Sequence, residues 1–305
     1  KENFTLIGRG VGENPNQHVH MTEKHGFNVS AARQPKGCLN SQHSHEHAEV
    51  FVVHSGRWRL LFGVEAGQDG HLDIGPGDVA TVPPHMFRGF SKLDDGPGFL
   101  WVPLGQDDPG KVLWAPKVYE LAKDYGLVLL KGGRLVDTTQ GEQVPADAEV
   151  DHGPRNADIA HLKTPAADRM QRIAVMHDDL CSNPGSRLVA AGVEECLVIG
   201  GGDRGDEEGS APIECWWPHG FVLRMLRMET GAEVPRHVRE EAEVLFVQRG
   251  ALEVTTSQGT VVMAAGDTFS TPSGLERSFK AVASDGCEVF ILRGGETPAA
   301  PHFVA

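Results

Sequence analysis

One spaced pattern occurs twice in this chain, 194 residues apart, and only its first copy is complete. The first copy is Gly37, His43, His45, Glu49 and Gly56. The second is Gly231, His237, Arg239, Glu243 and Gly250, with the same spacing but an arginine where the second histidine stood. Each copy is followed by a G-D-x4-P element: Gly77, Asp78 and Pro83, then Gly266, Asp267 and Pro272. A duplicated supersecondary unit sets the architecture before local propensity does, and it implies two similar domains. A length of 305 residues agrees with two domains and is enough to bury a sizeable core in each.

Short apolar runs alternate with turn residues around both copies. Residues 50–53 and 57–62 flank Ser55-Gly56, which predicts a hairpin. Gly75-Pro76-Gly77-Asp78 predicts a turn, with further strands at 79–82 and 99–102. Twenty residues separate Gly56 from Gly77, but only fifteen separate Gly250 from Gly266. The first copy therefore carries a longer hairpin, placed at residues 66–70. Many short strands with regular Gly and Pro turns argue for an all-β sandwich or barrel.

Between the copies, Ala115-Pro116 predicts a helix start and Gly126 its C-cap, with Val118, Leu121, Ala122 and Tyr125 as an apolar stripe. Residues 137–164 read as loop, 166–175 as a second short helix, and 196–199 as a strand. Residues 200–212 are acidic and glycine-rich, hence a mobile loop. Gly200 to Gly205 is no dinucleotide fingerprint, because no helix follows it. The expected boundaries are an N-terminal segment 1–26, a first domain 27–110, a connecting region 111–215 and a second domain 216–305. Residues 1–26 contain Gly8, Gly10, Gly12, His18 and His20 and are expected to pack beside the first domain. No further ligand follows the two histidines at metal-binding spacing.

The repeated pattern resembles motif one of the cupin family, G-x5-H-x-H-x3,4-E-x6-G, and the first copy matches it at every defined position. Family motif two, G-x5-P-x-G-x2-H-x3-N, is departed from in both copies. In the first, His85 stands at the glycine, Arg88 at the histidine and Lys92 at the asparagine. In the second, Gly274 fits, while Arg277 and Ala281 replace the histidine and asparagine. The resemblance covers about half the chain. It implies two tandem jelly-roll β-barrels, a bicupin, with a metal site in the first and a degenerate second barrel. It also implies pairing of barrels, met by the two copies within one chain or between chains in a homodimer.

Side chains two apart on a strand share a face, so His43 and His45 can aim two imidazoles at one point, with Glu49 adding a carboxylate. Two imidazoles and one carboxylate with vacant positions suit non-haem Fe(II) best, while Zn, Ni, Mn and Cu also accept such donors. Arg88 cannot ligate a metal, because guanidinium offers no lone pair. It either clamps an anionic substrate, as a catalytic and substrate-binding group, or pairs with a barrel carboxylate such as Glu49 or Asp78. His85 is a candidate fourth ligand in a backbone position that needs an unusual conformation. His47 shares the parity of the triad but reads as solvated. Trp58 and Trp101 are candidate substrate-binding residues, and with Phe51, Phe87 and Phe90 they are also core candidates. His237, Arg239, Glu243 and Arg277 in the second copy would repel a divalent cation.

The net charge of −14 argues against nucleic acid or anionic membrane partners. Five widely spaced cysteines, Cys38, Cys181, Cys196, Cys215 and Cys287, without a C-x-x-C pair, suggest free thiols and a cytoplasmic setting. Cys38 precedes the first histidine and could face the site, with a buried inert thiol as the simpler reading. No signal-peptide pattern occurs in the residues present. The expected function is a metal-dependent dioxygenase acting on a small aromatic or enol molecule. The alternative is a non-oxidative cupin (isomerase, lyase or hydrolase) or a metal-free binding bicupin.

Overall fold

The computed structural model describes residues 1–11, 17–201, 209–213 and 216–304. Gly12, Cys215 and most of the glycine-rich stretch after residue 201 lie outside that set. Strand accounts for 46% and helix for 8%, which agrees with the all-β expectation. Residues 1–24, 28–76 and 81–167 form one compact unit, and residues 25–27, 77–80 and 168–305 form the other.

The first unit is built from β1 (Glu2–Ile7), β2 (Val19–Met21), β3 (Phe27–Gln34), β4 (Leu39–Ser44), β5 (Glu49–Ser55), β6 (Trp58–Phe62), β7 (His71–Ile74), β8 (Val79–Val82), β9 (Arg88–Lys92), β10 (Gly98–Gly105) and β11 (Leu113–Trp114). One sheet orders β8-β5-β10-β3-β1-β2 and the other β11-β4-β9-β6-β7. β1 and β2, within the segment expected to pack beside the first domain, are thus strands of the first unit's sheet. Thr5 and Ile7 of β1 pair in parallel with Val19 and Met21, and β1 pairs antiparallel with β3. Phe51, Val53, Trp58, Leu60, Leu100 and Trp101 form core at 0% exposure. Each such side chain contributes about 1.5–3 kcal/mol through burial.

Ser55-Gly56 is not a hairpin turn. β5 and β6 lie in different sheets, so the chain turns a corner there. Gly56 has φ 79°, and a Cβ would stand 2.4 Å from Lys92 Cε. The tight corner therefore needs glycine. Gly250 repeats the device at φ 77°, with Gly286 O 2.1 Å from where a Cβ would stand. The longer hairpin of the first copy is present: β6 pairs with β7 from Trp58↔Ile74 to Leu61↔His71, and residues 63–70 connect them.

After β11 comes α1 (Pro116–Asp124), with Ala115 as N-cap, Pro116 in the first turn and Gly126 at φ 68° beyond its end. Val118 packs on a small core of Phe87, Ala115 and Ile159, whereas Leu121 is 45% and Tyr125 71% exposed. β12 (Leu127–Leu129) and β13 (Leu135–Asp137) make a separate two-stranded hairpin. α2 (Asn156–Ile159) and α3 (Ala167–Met170) are single turns. The helix expected over 166–175 stops at Met170, and β14 (Ala174–Val175) follows, paired with Ala80 and Val79.

The second unit contains β15 (Val193–Ile199), β16 (Phe221–Met228), β17 (Glu233–Val238), β18 (Glu243–Thr256), β19 (Gly259–Ala264), β20 (Thr268–Thr271), β21 (Arg277–Ala281), β22 (Cys287–Gly294) and β23 (His302–Phe303). Its main path orders β15-β16-β22-β18-β21-β17-β23, with β19 and β20 also on β18. The 14-residue β18 pairs with β22 before Gly250 and with β21 after it, turning the same corner without a break. Leu226, Leu245, Val247, Phe279 and Ile291 belong to its apolar core. Among the described residues, no helix is long and apolar enough to cross a membrane.

Candidate metal centre

β4 ends and β5 begins at the sequence motif, and this places the ligand candidates. His43 lies on β4, His45 just beyond it, and Glu49 opens β5. All three are at most 5% exposed. One ligand atom from each lies within 4.8 Å of the others, and this is the metal-capable cluster among the described residues. His43 Nδ1 is 2.7 Å from the Ser41 carbonyl, which can only accept. Nδ1 therefore carries the proton, and Nε2 keeps a lone pair toward the cluster. Both ring nitrogens of the buried His45 lack a hydrogen-bond partner. Buried polar atoms without partners are costly, and a cation in the cluster would satisfy one of them. The donor set thus fits a divalent metal.

Electrostatics prepares the same donors. Burial, then the neighbouring His45 and Arg88, holds the His43 pKa well below its ordinary 6.5. Burial and then Arg88 also lower that of His45. Both imidazoles are neutral at neutral pH, the form that binds metal. Burial pushes the Glu49 carboxyl up, but Arg88 and then His45 outweigh it and hold it well below the usual range. Glu49 is therefore ionised.

Arg88 opens β9 directly opposite His43 in register. It is 0% exposed and donates from Nε to Glu49 Oε2 at 2.9 Å and from Nη1 to the Met86 carbonyl at 3.1 Å. Of the two roles the sequence allowed, the structure has the ion pair with Glu49. Arg88 does not line the cavity beside the cluster. Glu49 Oε1 remains turned toward His45 Nε2, 3.6 Å away. Replacing Arg88 by Met should therefore strip Glu49 of its partner and cost the metal-free protein about 3 kcal/mol. Saturating metal should restore most of that loss, since a cation also compensates Glu49. Thermal melts with and without metal would check this, and an unchanged metal-free melting temperature would be incompatible with the ion pair.

His85 adopts φ 63°, the left-handed conformation expected where the family has glycine. Its N–H donates to the His45 carbonyl at 2.8 Å, but its side chain is exposed and outside the cluster. It steadies the His45 turn through its backbone rather than supplying a fourth ligand. Trp58 and Trp101 are fully buried and absent from the cavity wall, with Trp58 Nε1 donating to the Ser55 carbonyl at 2.9 Å. The candidate aromatic substrate contacts are instead Trp114 and Phe90. Trp114 pairs with His43 across β11 and β4, and their ring centroids are 5.2 Å apart. Cys38 is half-buried and off the wall, and Cys38, Cys181, Cys196 and Cys287 are free. His18 and His20 are exposed, with ring centroids 4.6 Å apart.

A cavity of about 530 Å³ opens from the cluster. His43, His45 and Glu49 form its buried end. Leu127, Leu135, Asp137 and Glu142 from the connection and Asn3, Phe4 and Thr5 from β1 supply walls that the repeat did not foreshadow.

The corresponding place in the second unit is filled by charge. Glu243 Oε2 accepts from Arg277 Nε and Nη2 at 3.3 and 3.2 Å, and Oε1 accepts from Arg293 Nε at 3.1 Å. Arg239 Nε, in the place of His45, is 3.5 Å from Oε1. Arg293 also donates to Glu195 Oε1 at 2.5 Å. Burial pushes the Glu243 carboxyl up, but Arg277, Arg293 and Arg239 together hold it well below the usual range. Burial above all pushes His237 down to about 4. Arg293 and Glu195 were not foreseen. Arg293 pairs with Glu243 as Leu104 pairs with Glu49, and it lies 189 residues after Leu104, the same interval that relates Arg277 to Arg88. Extending the repeat to that interval would have found it.

Comparison with known proteins agrees with this duplication. The family described as "Cupin" matches residues 14–128, and that described as "Cupin domain" matches residues 224–292. No curated protein sequence matches. Among solved structures, the Lactobacillus farciminis oxalate decarboxylase formate complex is similar at 13% identity and TM-score 0.56, covering 92% of this chain and 80% of that one. Bacillus subtilis oxalate decarboxylase at pH 4.6 gives 14% identity and TM-score 0.56, covering 92% and 71%. A variant of salicylate 1,2-dioxygenase from Pseudoaminobacter salicylatoxidans gives 14% identity and TM-score 0.53, covering 89% and 71%. At such identities the likeness speaks to the fold. With one cupin match on each repeat, together spanning more than half the sequence, the chain belongs to the cupin family and is a bicupin.

Proposed function

We propose that the first barrel is a mononuclear metal centre and that the protein is a dioxygenase acting on a small aromatic or enol substrate. The observation that carries this reading is the buried His43, His45 and Glu49 cluster at the closed end of a largely apolar cavity. Three protein donors leave coordination positions open, and the two-imidazole, one-carboxylate set suits Fe(II) best, ahead of Zn, Ni, Mn or Cu. A bound Fe(II) would supply those open positions and its redox chemistry. The chain's own residues orient and exclude. Ser41 fixes the His43 tautomer, Arg88 holds Glu49 in place through Oε2, and Trp114 and Phe90 offer ring faces to the substrate. Apolar walls limit competing water.

A non-oxidative reading keeps one support: Arg88 occupies the family's third-histidine position, so the donor set is smaller than the resemblance implies. The two readings separate in one experiment. Protein purified without chelators should carry about one metal per chain, with iron giving the highest oxygen uptake on a panel of catechols, hydroxybenzoates, flavonols and diketones. One bound metal with no oxygen consumption on any panel member would favour the non-oxidative reading. Absence of stoichiometric binding for every metal tried would end the metal-centre proposal.

A further inference from the structure

The cavity beside the cluster has a marked charge pattern. Its flanks are apolar: Phe4, Phe90, Val102, Leu104, Trp114 and Leu127. Its polar wall groups are mostly uncharged, as with Asn3, Gln17 and Asn40. Toward solvent it carries two carboxylates, the half-buried Asp137 and the exposed Glu142. Among the described residues, no lysine or arginine lines it. Residues 12–16, between the wall residues Val11 and Gln17, read Gly-Glu-Asn-Pro-Asn and add no basic side chain to the sequence there. The nearby guanidinium, Arg88, donates from Nε to Glu49 and from Nη1 to the Met86 carbonyl, its Nη2 is buried without a partner, and it does not line the cavity.

We propose that this cavity selects a substrate with a single acidic end, an enolic or phenolic oxygen at the metal, and an uncharged ring-bearing body, and that it rejects a second, distal carboxylate. The inference rests on the metal-centre reading above and narrows its substrate class. A volume near 530 Å³ lies within the range of sites for drug-sized ligands and is far more than a two-carbon diacid fills. A carboxylate moved from water onto such a wall finds, among the described residues, no lysine or arginine and only neutral donors such as Asn3, Gln17 and Asn40, so no opposite charge offsets its desolvation. Asp137 and Glu142 at the open end add like-charge repulsion along the way in. A ring, by contrast, gains burial against Phe90 and Trp114. The solved relatives named for oxalate and salicylate act on carboxylates. This wall is not suited to a distal one.

The test uses the full metal-loaded chain and probes that share one chelating end: catechol, 4-tert-butylcatechol and 3,4-dihydroxybenzoate, with oxalate as the diacid. Binding is read by calorimetry under nitrogen, so it does not depend on turnover. The two uncharged catechols should bind at least about tenfold more tightly than 3,4-dihydroxybenzoate, and oxalate should be weaker than both. Leu135, a cavity-wall residue 40% exposed on β13, offers a gain-of-binding control. Leu135→Lys should narrow the preference for 4-tert-butylcatechol over 3,4-dihydroxybenzoate at least about fivefold by giving the distal carboxylate a cation. Equal or tighter binding of the dihydroxybenzoate or oxalate by the unmodified chain overturns the proposal. So does failure of every probe to bind, or an unmoved ratio in Leu135→Lys. If the catechols bind selectively but oxygen uptake is nil, the charge selection stands and the dioxygenase reading fails.

Discussion

Removing His43 as alanine, or converting Glu49 to Gln, should empty the first barrel of metal, while His237→Ala should leave metal content as it is. Three donors are the minimum for this centre, and each of these changes leaves a pair of full-strength ligands. Loss of a group that merely supports a ligand typically costs 10–100-fold in affinity, so loss of a ligand itself should exceed about 100-fold. Glu49→Gln is the more informative of the two. Its amide oxygen can still accept from Arg88, so the fold should survive where alanine would leave a bare buried guanidinium. His237 has the same local geometry as His43, with Nδ1 on the Pro235 carbonyl at 2.9 Å and Nε2 without a partner. It nevertheless faces arginines rather than a second imidazole and a half-free carboxylate. Metal per chain after dialysis, measured by atomic emission beside a melting curve, checks all three variants. Equal loss from His237→Ala would assign the metal to the wrong barrel.

The triad was legible because its geometry is local. H-x-H at the end of one strand and a glutamate opening the next put three side chains at one point without reference to distant residues. The positive φ of His85 was legible for a similar reason, since it stands where the pattern demands a turn glycine. What lay beyond reach depends on pairing across the fold. Arg88 could be placed near the triad from spacing, but its pairing with Glu49 goes with its register opposite His43 across the sheet. Trp58 and Trp101 were on the expected strands, yet both are fully buried and off the cavity wall. Trp114 entered the site through a two-residue strand, too short to show a period, and the β12–β13 hairpin lies outside any repeated pattern. The Ser55-Gly56 turn illustrates a different failure. A hairpin turn and a corner between sheets use the same left-handed glycine, and strand partners alone tell them apart.

Glu243→Gln should be the most destabilising single change in the second barrel. Both carboxylate oxygens are engaged, Oε2 by Arg277 and Oε1 by Arg293, with Arg239 3.5 Å away. All four side chains are at most 2% exposed. Neutralising the carboxylate removes the charge that Arg277, Arg293 and Arg239 share, while Glu195 stays bonded to Arg293. Breaking a buried pair from one side costs about 3–5 kcal/mol, or roughly 10 °C in melting temperature for a domain of this size. Metal content of the first barrel should not change. The same geometry explains why restoring the family histidine should not restore a site. Arg239→His would supply a second imidazole, but Arg277 and Arg293 would still hold Glu243 by both oxygens. In the first barrel Arg88 takes only Oε2, and Leu104 stands where the second barrel has Arg293. That exchange leaves Glu49 Oε1 available to a cation and denies Glu243 the same freedom. A second metal per chain in Arg239→His would show that the arginine cage yields readily, and a melting curve for Glu243→Gln matching the parent would show that it contributes little to stability.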